Sequence, residues 1–354
     1  MSKEFHTLKI NQIVRETEDS VSVQFEIPND LKDKFQFTSG QYLTFKSEIN
    51  GNEIRRSYSL CTAPFEEKWK VTVKKIQNGL FSTYANEKLK IGDVLEVSTP
   101  NGNFKHNTQN NPKNYLLFAA GSGITPIISI LKNILKTETN STVSLFYGNQ
   151  HSSSVIFKEE LEGLKNLYLT RFSLQHFFSK EDLGNSLQNG RIDKNKCKEI
   201  CKKLISFDKK DNIEVFVCGS EEMVHDIKDC MLEWGVDEKA IHFELFGVKK
   251  QNKQIPQEIK KIHSKVKIIQ DGYSYDIELD SDADTILEAG INAGADLPYS
   301  CKGGVCCTCK AKVIEGKVKM DLNYSLEPEE TEEGYILTCQ AHPISENVVI
   351  SFDE

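Results

Sequence analysis

Asn114-Tyr-Leu-Leu-Phe-Ala-Ala120 is followed at once by Gly121-Ser-Gly123-Ile-Thr125-Pro126. The first segment has the unbroken apolar character of a strand buried on both faces. The second is a glycine turn opening a helix, with Thr125 expected at the N-cap and Pro126 at the first helical position. A turn of this kind at the carboxyl end of a strand presents backbone N–H groups to phosphates. The segment lacks the third glycine of the usual dinucleotide fingerprint, so its weight comes from the strand and helix around it. Downstream, VSLFY (Val143–Tyr147) and EVFVC (Glu214–Cys218) repeat the strand rhythm with helical stretches between them. That alternation predicts a doubly wound parallel sheet. Val217-Cys218-Gly219-Ser220 falls at a strand's carboxyl end, where ligands bind in such sheets, although a buried cysteine before a helix explains the local pattern equally well.

Upstream the rhythm differs. SVSVQFEI, QYLTFK, RSYSL, KVTVKK and VLEVST alternate with period two and are spaced by turn residues, the pattern of an antiparallel barrel or sandwich. Arg56-Ser-Tyr58-Ser59 sets a cation, an aromatic ring and a hydroxyl on one strand, a combination suited to a flavin nucleotide, though an ordinary edge strand can read the same way. Asn78-Gly79-Leu-Phe-Ser82-Thr83 looks like a turn opening a helix whose free N–H groups can hold a pyrophosphate.

Towards the C-terminus, KVKIIQDGYSYDIEL reads as a hairpin turning at Asp271-Gly272, followed by a helix near Thr285 to Asn292. Then comes Cys301-Lys-Gly-Gly-Val-Cys306-Cys307-Thr-Cys309, completed by Cys339. With Cys301, Cys306, Cys309 and Cys339 as ligands the spacing is that of a plant-type [2Fe–2S] centre. Gly303 and Gly304 allow the loop to curl with its N–H groups towards the sulfurs, and Cys307 stands between ligands as a bystander. Zinc sites favour paired C-x2-C knuckles, and only one such pair is present.

The 354 residues carry a net charge of −8, which argues against a nucleic-acid binder. From Ser264 onwards there are 7 Lys and 18 Asp or Glu, a net of −11, which leaves +3 for the rest. An acidic module thus joins a nearly neutral body through the Lys- and Gln-rich stretch Gly247–His263, expected to be an exposed linker that lets the last module swing. The expected division is 1–111, 112–247, linker 248–263 and 264–354. The opening residues contain no apolar run fit for a signal peptide, and no eighteen apolar residues occur in succession, which points to the cytoplasm and no membrane span.

The order RSYS, GLFST, GSGITP, VCGS, ELFG resembles the ferredoxin–NADP reductase superfamily, and the cysteine-bearing extension resembles plant-type ferredoxins. The arrangement of flavin, nicotinamide and C-terminal cluster domains looks like the oxygenase-reductase branch. The resemblance implies an antiparallel β-barrel flavin domain, a doubly wound nicotinamide domain and a β-grasp ferredoxin domain. It implies FAD bound by Arg56, Tyr58 and Ser59, with Gly79 and Ser82 on its pyrophosphate. Gly121, Gly123 and Thr125 would meet the dinucleotide, Cys218 would lie beside the nicotinamide, and Glu244 and Phe246 would match the family's acidic residue and flavin-shielding aromatic. Ser59, Cys218 and Glu244 would be the catalytic set.

Relatives that use NADPH often place an arginine after Tyr-Gly-Asn, whereas Gln150 stands here, which tilts the expectation to NADH and leaves Arg171 or a lysine as an alternative charge for NADPH. Flavin would join two-electron nicotinamide chemistry to a one-electron cluster. The implied acceptor is an oxygenase component docking at the acidic module, by resemblance that of phenylacetyl-CoA epoxidase. A hybrid-cluster protein, another ferredoxin or a desaturase are the alternative acceptors. A redox sensor without turnover is disfavoured by the complete set that includes Cys218 and Glu244.

Overall fold

A computed structural model of the chain describes residues 5–109, 111–205, 212–246 and 261–354. These fall into two compact units, one carrying the first two sheets and the other the C-terminal sheet.

The first sheet is built from β1 (Phe5–Thr17), β2 (Ser20–Glu26), β3 (Tyr42–Ile49), β4 (Asn52–Ser59), β5 (Trp69–Lys74) and, after helix α1 (Leu80–Glu87), β6 (Val94–Ser98). Its order is β4-β3-β6-β1-β2-β5. β1–β2, β2–β5 and β3–β6 pair antiparallel. A bridge between Leu60, just past β4, and Val71 in β5 brings the two edges together, so the sheet curls into a half-barrel. Period-two alternation explains the curl's inside: Val21, Val23 and Phe25 of β2 and Val71 and Val73 of β5 are all buried in one core. Register shifts after Ile10 and Arg15 of β1 are bulges of the kind that increase local twist.

The second sheet runs β7 (Asn114–Ala120), α2 (Ile124–Thr137), β8 (Thr142–Asn149), α3 (Lys158–Leu167), β9 (Phe172–Phe178), α4 (Lys194–Leu204), β10 (Ile213–Gly219), α5 (Glu221–Trp234), β11 (Ile241–Leu245). All its pairings are parallel and its order is β11-β10-β7-β8-β9. Leu116, Leu117, Phe118 and Ala119 have no exposure, as a central strand covered on both faces requires. The chain leaves β7 towards β8 on one side and returns to β10 on the other, so the switch point lies between β7 and β10. Ligands bind at the carboxyl ends of strands at such a point.

Two expectations need correction here. Thr125 is not the N-cap: a 3-10 turn over Gly121–Gly123 runs straight into α2, which starts at Ile124 with Gly123 at the cap. The Thr125 hydroxyl instead donates back to the Ser122 carbonyl at 3.0 Å, and Pro126 sits inside the first turn, where its missing N–H costs nothing. Arg171 is not at the ligand end of the sheet. It precedes β9, and its guanidinium donates to the carbonyls of Leu135 (2.7 Å), Glu138 (2.8 Å) and Ser141 (3.1 Å), closing the C-terminal end of α2.

The first two sheets are fastened by a buried polar seam. The Ser129 hydroxyl of α2 donates to the Thr62 carbonyl at 2.7 Å. Lys132, 6 % exposed, meets Glu66 at 2.8 Å and Glu160 at 3.0 Å. Burial opposes the ammonium charge, yet these carboxylates hold the Lys132 pKa above its usual value.

The third sheet consists of β12 (His263–Gln270), β13 (Tyr273–Asp280), β14 (Lys310–Glu315), β16 (Tyr335–Leu337) and β18 (Asn347–Ser351), in the order β13-β12-β18-β14-β16. Helices α6 (Ile286–Asn292) and α7 (Pro328–Glu332) and a small ladder of β15 (Val318–Met320) with β17 (Ala341–Pro343) complete it. Asp271 and Gly272 have φ of 51° and 76°, the left-handed pair that a two-residue hairpin turn needs. The Thr285 hydroxyl caps α6 by accepting from the Glu288 amide at 3.3 Å. The expected linker lies outside the described residues as far as residue 260, and β12 begins at His263, one residue ahead of Ser264. Among the described residues no helix is long and apolar enough to cross a membrane.

Candidate active site

The glycines of the first motif answer to different constraints. Gly121 has φ +53° in otherwise open space, and the Tyr147 hydroxyl donates to its carbonyl at 2.9 Å. Gly123 has an ordinary φ but no room: a Cβ there would stand 2.6 Å from the Cys218 carbonyl carbon and closer still to its oxygen. The second glycine therefore lets the start of α2 rest on the end of β10. This close approach brings the expected GSG and VCGS segments side by side at the switch point.

Cys218 and Glu244 are register partners on β10 and β11. The Cys218 thiol lies 4.0 Å from Glu244 Oε2, and the Ser59 hydroxyl, at the end of β4, donates to the same oxygen at 3.3 Å. Two residues far apart in sequence, one from each sheet, thus converge on one carboxylate oxygen of a third. Complete burial, and after it the Glu244 charge, push the Cys218 pKa well above the usual thiol range. The thiol is therefore a neutral, protonated donor at physiological pH and not a nucleophile. Phe246 follows β11, its amide donating to the Gly219 carbonyl at 2.9 Å, and packs half-buried against the core of the second sheet.

On the curled sheet, Arg56 and Tyr58 stand two apart on β4, and Arg56 is exposed. The Tyr58 ring stacks on Phe81 of α1 with centroids 5.5 Å apart, and Phe81 stacks in turn on Phe45. Gly79 is the N-cap of α1, and the Ser82 hydroxyl is held by the Gly79 carbonyl and the Ile76 amide, each at 3.3 Å. A cation, an aromatic edge and a helix N-terminus therefore belong to one sheet and the helix packed on it. This donor set fits a dinucleotide flavin.

In the C-terminal unit the thiols form a chain of mutual hydrogen-bond reach, Cys306 to Cys301, Cys301 to Cys339 and Cys339 to Cys309. The Gly303 amide donates to Cys301 Sγ at 3.3 Å, and the Gly304 amide is aimed at Cys339. Gly304 adopts φ +76° with the Leu322 carbonyl 3.2 Å from where a Cβ would sit, so no other residue closes this loop as easily. Cys307 is turned away, its thiol donating to the Ser325 carbonyl at 3.1 Å. Four soft sulfur donors converge with N–H groups aimed at them, the donor set of a [2Fe–2S] centre.

Residues 7–106 match the oxidoreductase FAD-binding domain, residues 117–229 the oxidoreductase NAD-binding domain and residues 268–343 the 2Fe-2S iron-sulfur cluster binding domain. Over 350 residues the chain is 41 % identical to a subunit of the 1,2-phenylacetyl-CoA epoxidase of Escherichia coli, covering 99 % of this chain and 98 % of that one. The chain belongs to this family of oxygenase reductase components. It is an electron-transfer oxidoreductase that uses FAD, a [2Fe–2S] cluster and a nicotinamide cofactor. The reductase is also 34 % identical to the ferredoxin reductase component of 3-ketosteroid-9-alpha-monooxygenase from Rhodococcus rhodochrous, across 98 % of this chain and 96 % of the relative. Its fold is that of phthalate dioxygenase reductase, with a TM-score of 0.62 at 24 % identity over 98 % of both chains.

Two contributors to the candidate site do not stand out in the sequence. Tyr147, which fixes Gly121, lies in VSLFY and reads there only as core; Phe81, which backs Tyr58, is one apolar residue inside GLFST.

Proposed function

We propose that this reductase passes electrons from NADH through FAD and the [2Fe–2S] centre to an oxygenase of the 1,2-phenylacetyl-CoA epoxidase type, in the cytoplasm. Similarity along the full length to a component of that epoxidase carries the choice of acceptor. A bound flavin would supply the conversion between two-electron nicotinamide chemistry and the one-electron chemistry of the cluster. The protein's own residues supply position and polarity.

In this reading Arg56, Tyr58 and Ser59 bind the flavin, and Gly79 and Ser82 at the start of α1 hold its pyrophosphate. Gly121, Gly123 and Thr125 line the dinucleotide's approach, and Phe246 covers the flavin's exposed face. Ser59 and Cys218 fix the Glu244 carboxylate between the two cofactor sites, each through a proton it keeps, so the charge is oriented without being consumed. Cys301, Cys306, Cys309 and Cys339 ligate the iron, and the acidic surface of that module meets basic residues on the acceptor, a contact weakened by salt. Gln150, exposed at the end of β8, supplies no positive charge for a 2′-phosphate, which supports NADH.

The test is an anaerobic titration with NADH and separately NADPH, following flavin and iron–sulfur absorbance, and then turnover with the oxygenase component of phenylacetyl-CoA epoxidase. Reduction by NADH with coupled epoxidation is expected. Reduction without turnover refutes the acceptor, and a strict requirement for NADPH refutes the cofactor assignment.

A further inference from the structure

Away from the iron–sulfur loop, three more cysteines meet on the back of the second sheet. Cys197 and Cys201 are four residues apart on α4, hence on one helical face, and Cys230 faces them from α5. Their sulfur atoms all lie within 4.8 Å of one another. They are 0 %, 6 % and 2 % exposed. At that spacing the thiols are within reach of one another's hydrogen bonds. The same two helices are bridged on their surface by Lys194 to Glu233 at 2.9 Å and Lys198 to Glu233 at 2.8 Å.

Three small apolar side chains filling a helix interface would account for the burial. They would not account for three sulfurs turned to a common point. With metal–sulfur bonds of about 2.3 Å, three sulfurs around one ion stand about 4 Å apart, inside the spacing seen. A disulfide would use two of the three and leave the third unexplained.

We propose that Cys197, Cys201 and Cys230 form a three-thiolate site for a soft, thiophilic d10 cation of the Cu(I) class. Softness selects the ion: three thiolates favour Cu(I), Zn(II) or iron–sulfur chemistry over hard cations. Coordination number then divides these. Structural zinc takes four ligands, and no fourth His, Cys, Asp or Glu joins this group among the described residues. Binding displaces the three thiol protons, one from each cysteine, to solvent and puts the metal ion in their place, with no change of oxidation state. The bound ion ties α4 to α5, the helix that follows Cys218 and Gly219.

The experiment uses the holoprotein under anaerobic conditions, titrated with Cu(I) held by bicinchoninate. One equivalent of Cu(I) should leave the chelator, giving thiolate-to-metal ultraviolet absorption with flavin and iron–sulfur spectra unchanged, and Cys197→Ser/Cys230→Ser should abolish that equivalent. X-ray absorption at the copper edge of the wild type should show three sulfur neighbours, a readout that stands even where the double variant does not fold. The proposal is overturned by no transfer from the chelator, by equal uptake in the double variant, by release of iron on copper addition, or by preferential retention of Zn(II) in a four-coordinate site.

Discussion

Gly123→Ala tests the close approach that aligns the nucleotide end of the sheet. The added methyl meets the backbone carbonyl of Cys218, which cannot rotate away as a side chain would, so α2 or β10 must shift. Overpacking of this kind costs about 1–3 kcal/mol. For a unit of this size each kcal/mol moves the melting temperature by about 2–4 °C, so a fall of about 2–12 °C is expected. Because the shift falls beside Cys218 and Glu244, reduction of the flavin by NADH should slow by about tenfold or more, a loss of at least ~1.4 kcal/mol in the barrier. The residues proposed to hold FAD and the cluster are untouched, so flavin content and the dithionite-reduced cluster spectrum should match wild type. Gly121→Ala is the comparison: it meets no protein neighbour, carries the left-handed penalty of about 1–2 kcal/mol, and adds its methyl on the proposed approach of the dinucleotide, so its effect on NADH should fall on affinity and not on the packing of α2 against β10. Stopped-flow absorbance and calorimetry of both variants read these differences. If Gly123→Ala melts with wild-type enzyme and reduces its flavin at the wild-type rate, the packing argument is wrong.

Three further outcomes are expected. Glu244→Gln removes the charge that Ser59 and Cys218 address; hydrogen bonds to charged groups contribute about 1.5–3 kcal/mol, so flavin reduction should slow by roughly 10- to 150-fold, and an unchanged rate in rapid mixing would dismiss the carboxylate. Burial alone would raise the Glu138 pKa, but donors at His106, the Gln109 amide, Ser141 and Tyr115 hold it below the usual carboxylate value. A depressed acid stabilises the fold above its unfolded pKa, so stability should fall as pH drops below about 4.5, and urea midpoints of Glu138→Gln should lack that part of the slope. Cys307→Ser should keep the iron–sulfur absorbance while Cys306→Ser loses it; the reverse pattern would mean that the ligand assignment is one residue off.

Much of this arrangement is visible in the chain because the chemistry demands residue types that stand out. NYLLFAA coincides with β7 because a strand covered on both faces must be continuously apolar, and Asp271-Gly272 marks its hairpin because few residues accept two left-handed positions. The cluster loop declares itself by sulfur spacing. What is not legible depends on distance in sequence. The Ser59–Glu244 contact spans 185 positions, and Cys197, Cys201 and Cys230 look like scattered core residues until α4 is laid on α5. The cap of α2 differs from the expected one because a 3-10 turn absorbs the residues before Thr125, which no single side chain announces.

The place of Arg171 bears on any effort to redesign cofactor preference. Its guanidinium closes α2 at the amino-terminal side of the sheet, opposite the edge where Gly121 and Cys218 lie. A variant lacking Arg171 would lose NADPH and NADH activity together through a loosened helix, and a screen reading only one nucleotide would mistake this for altered selectivity. A cation meant to discriminate between the two nucleotides belongs at Gln150 instead, where the strand ends in solvent and no helix depends on it.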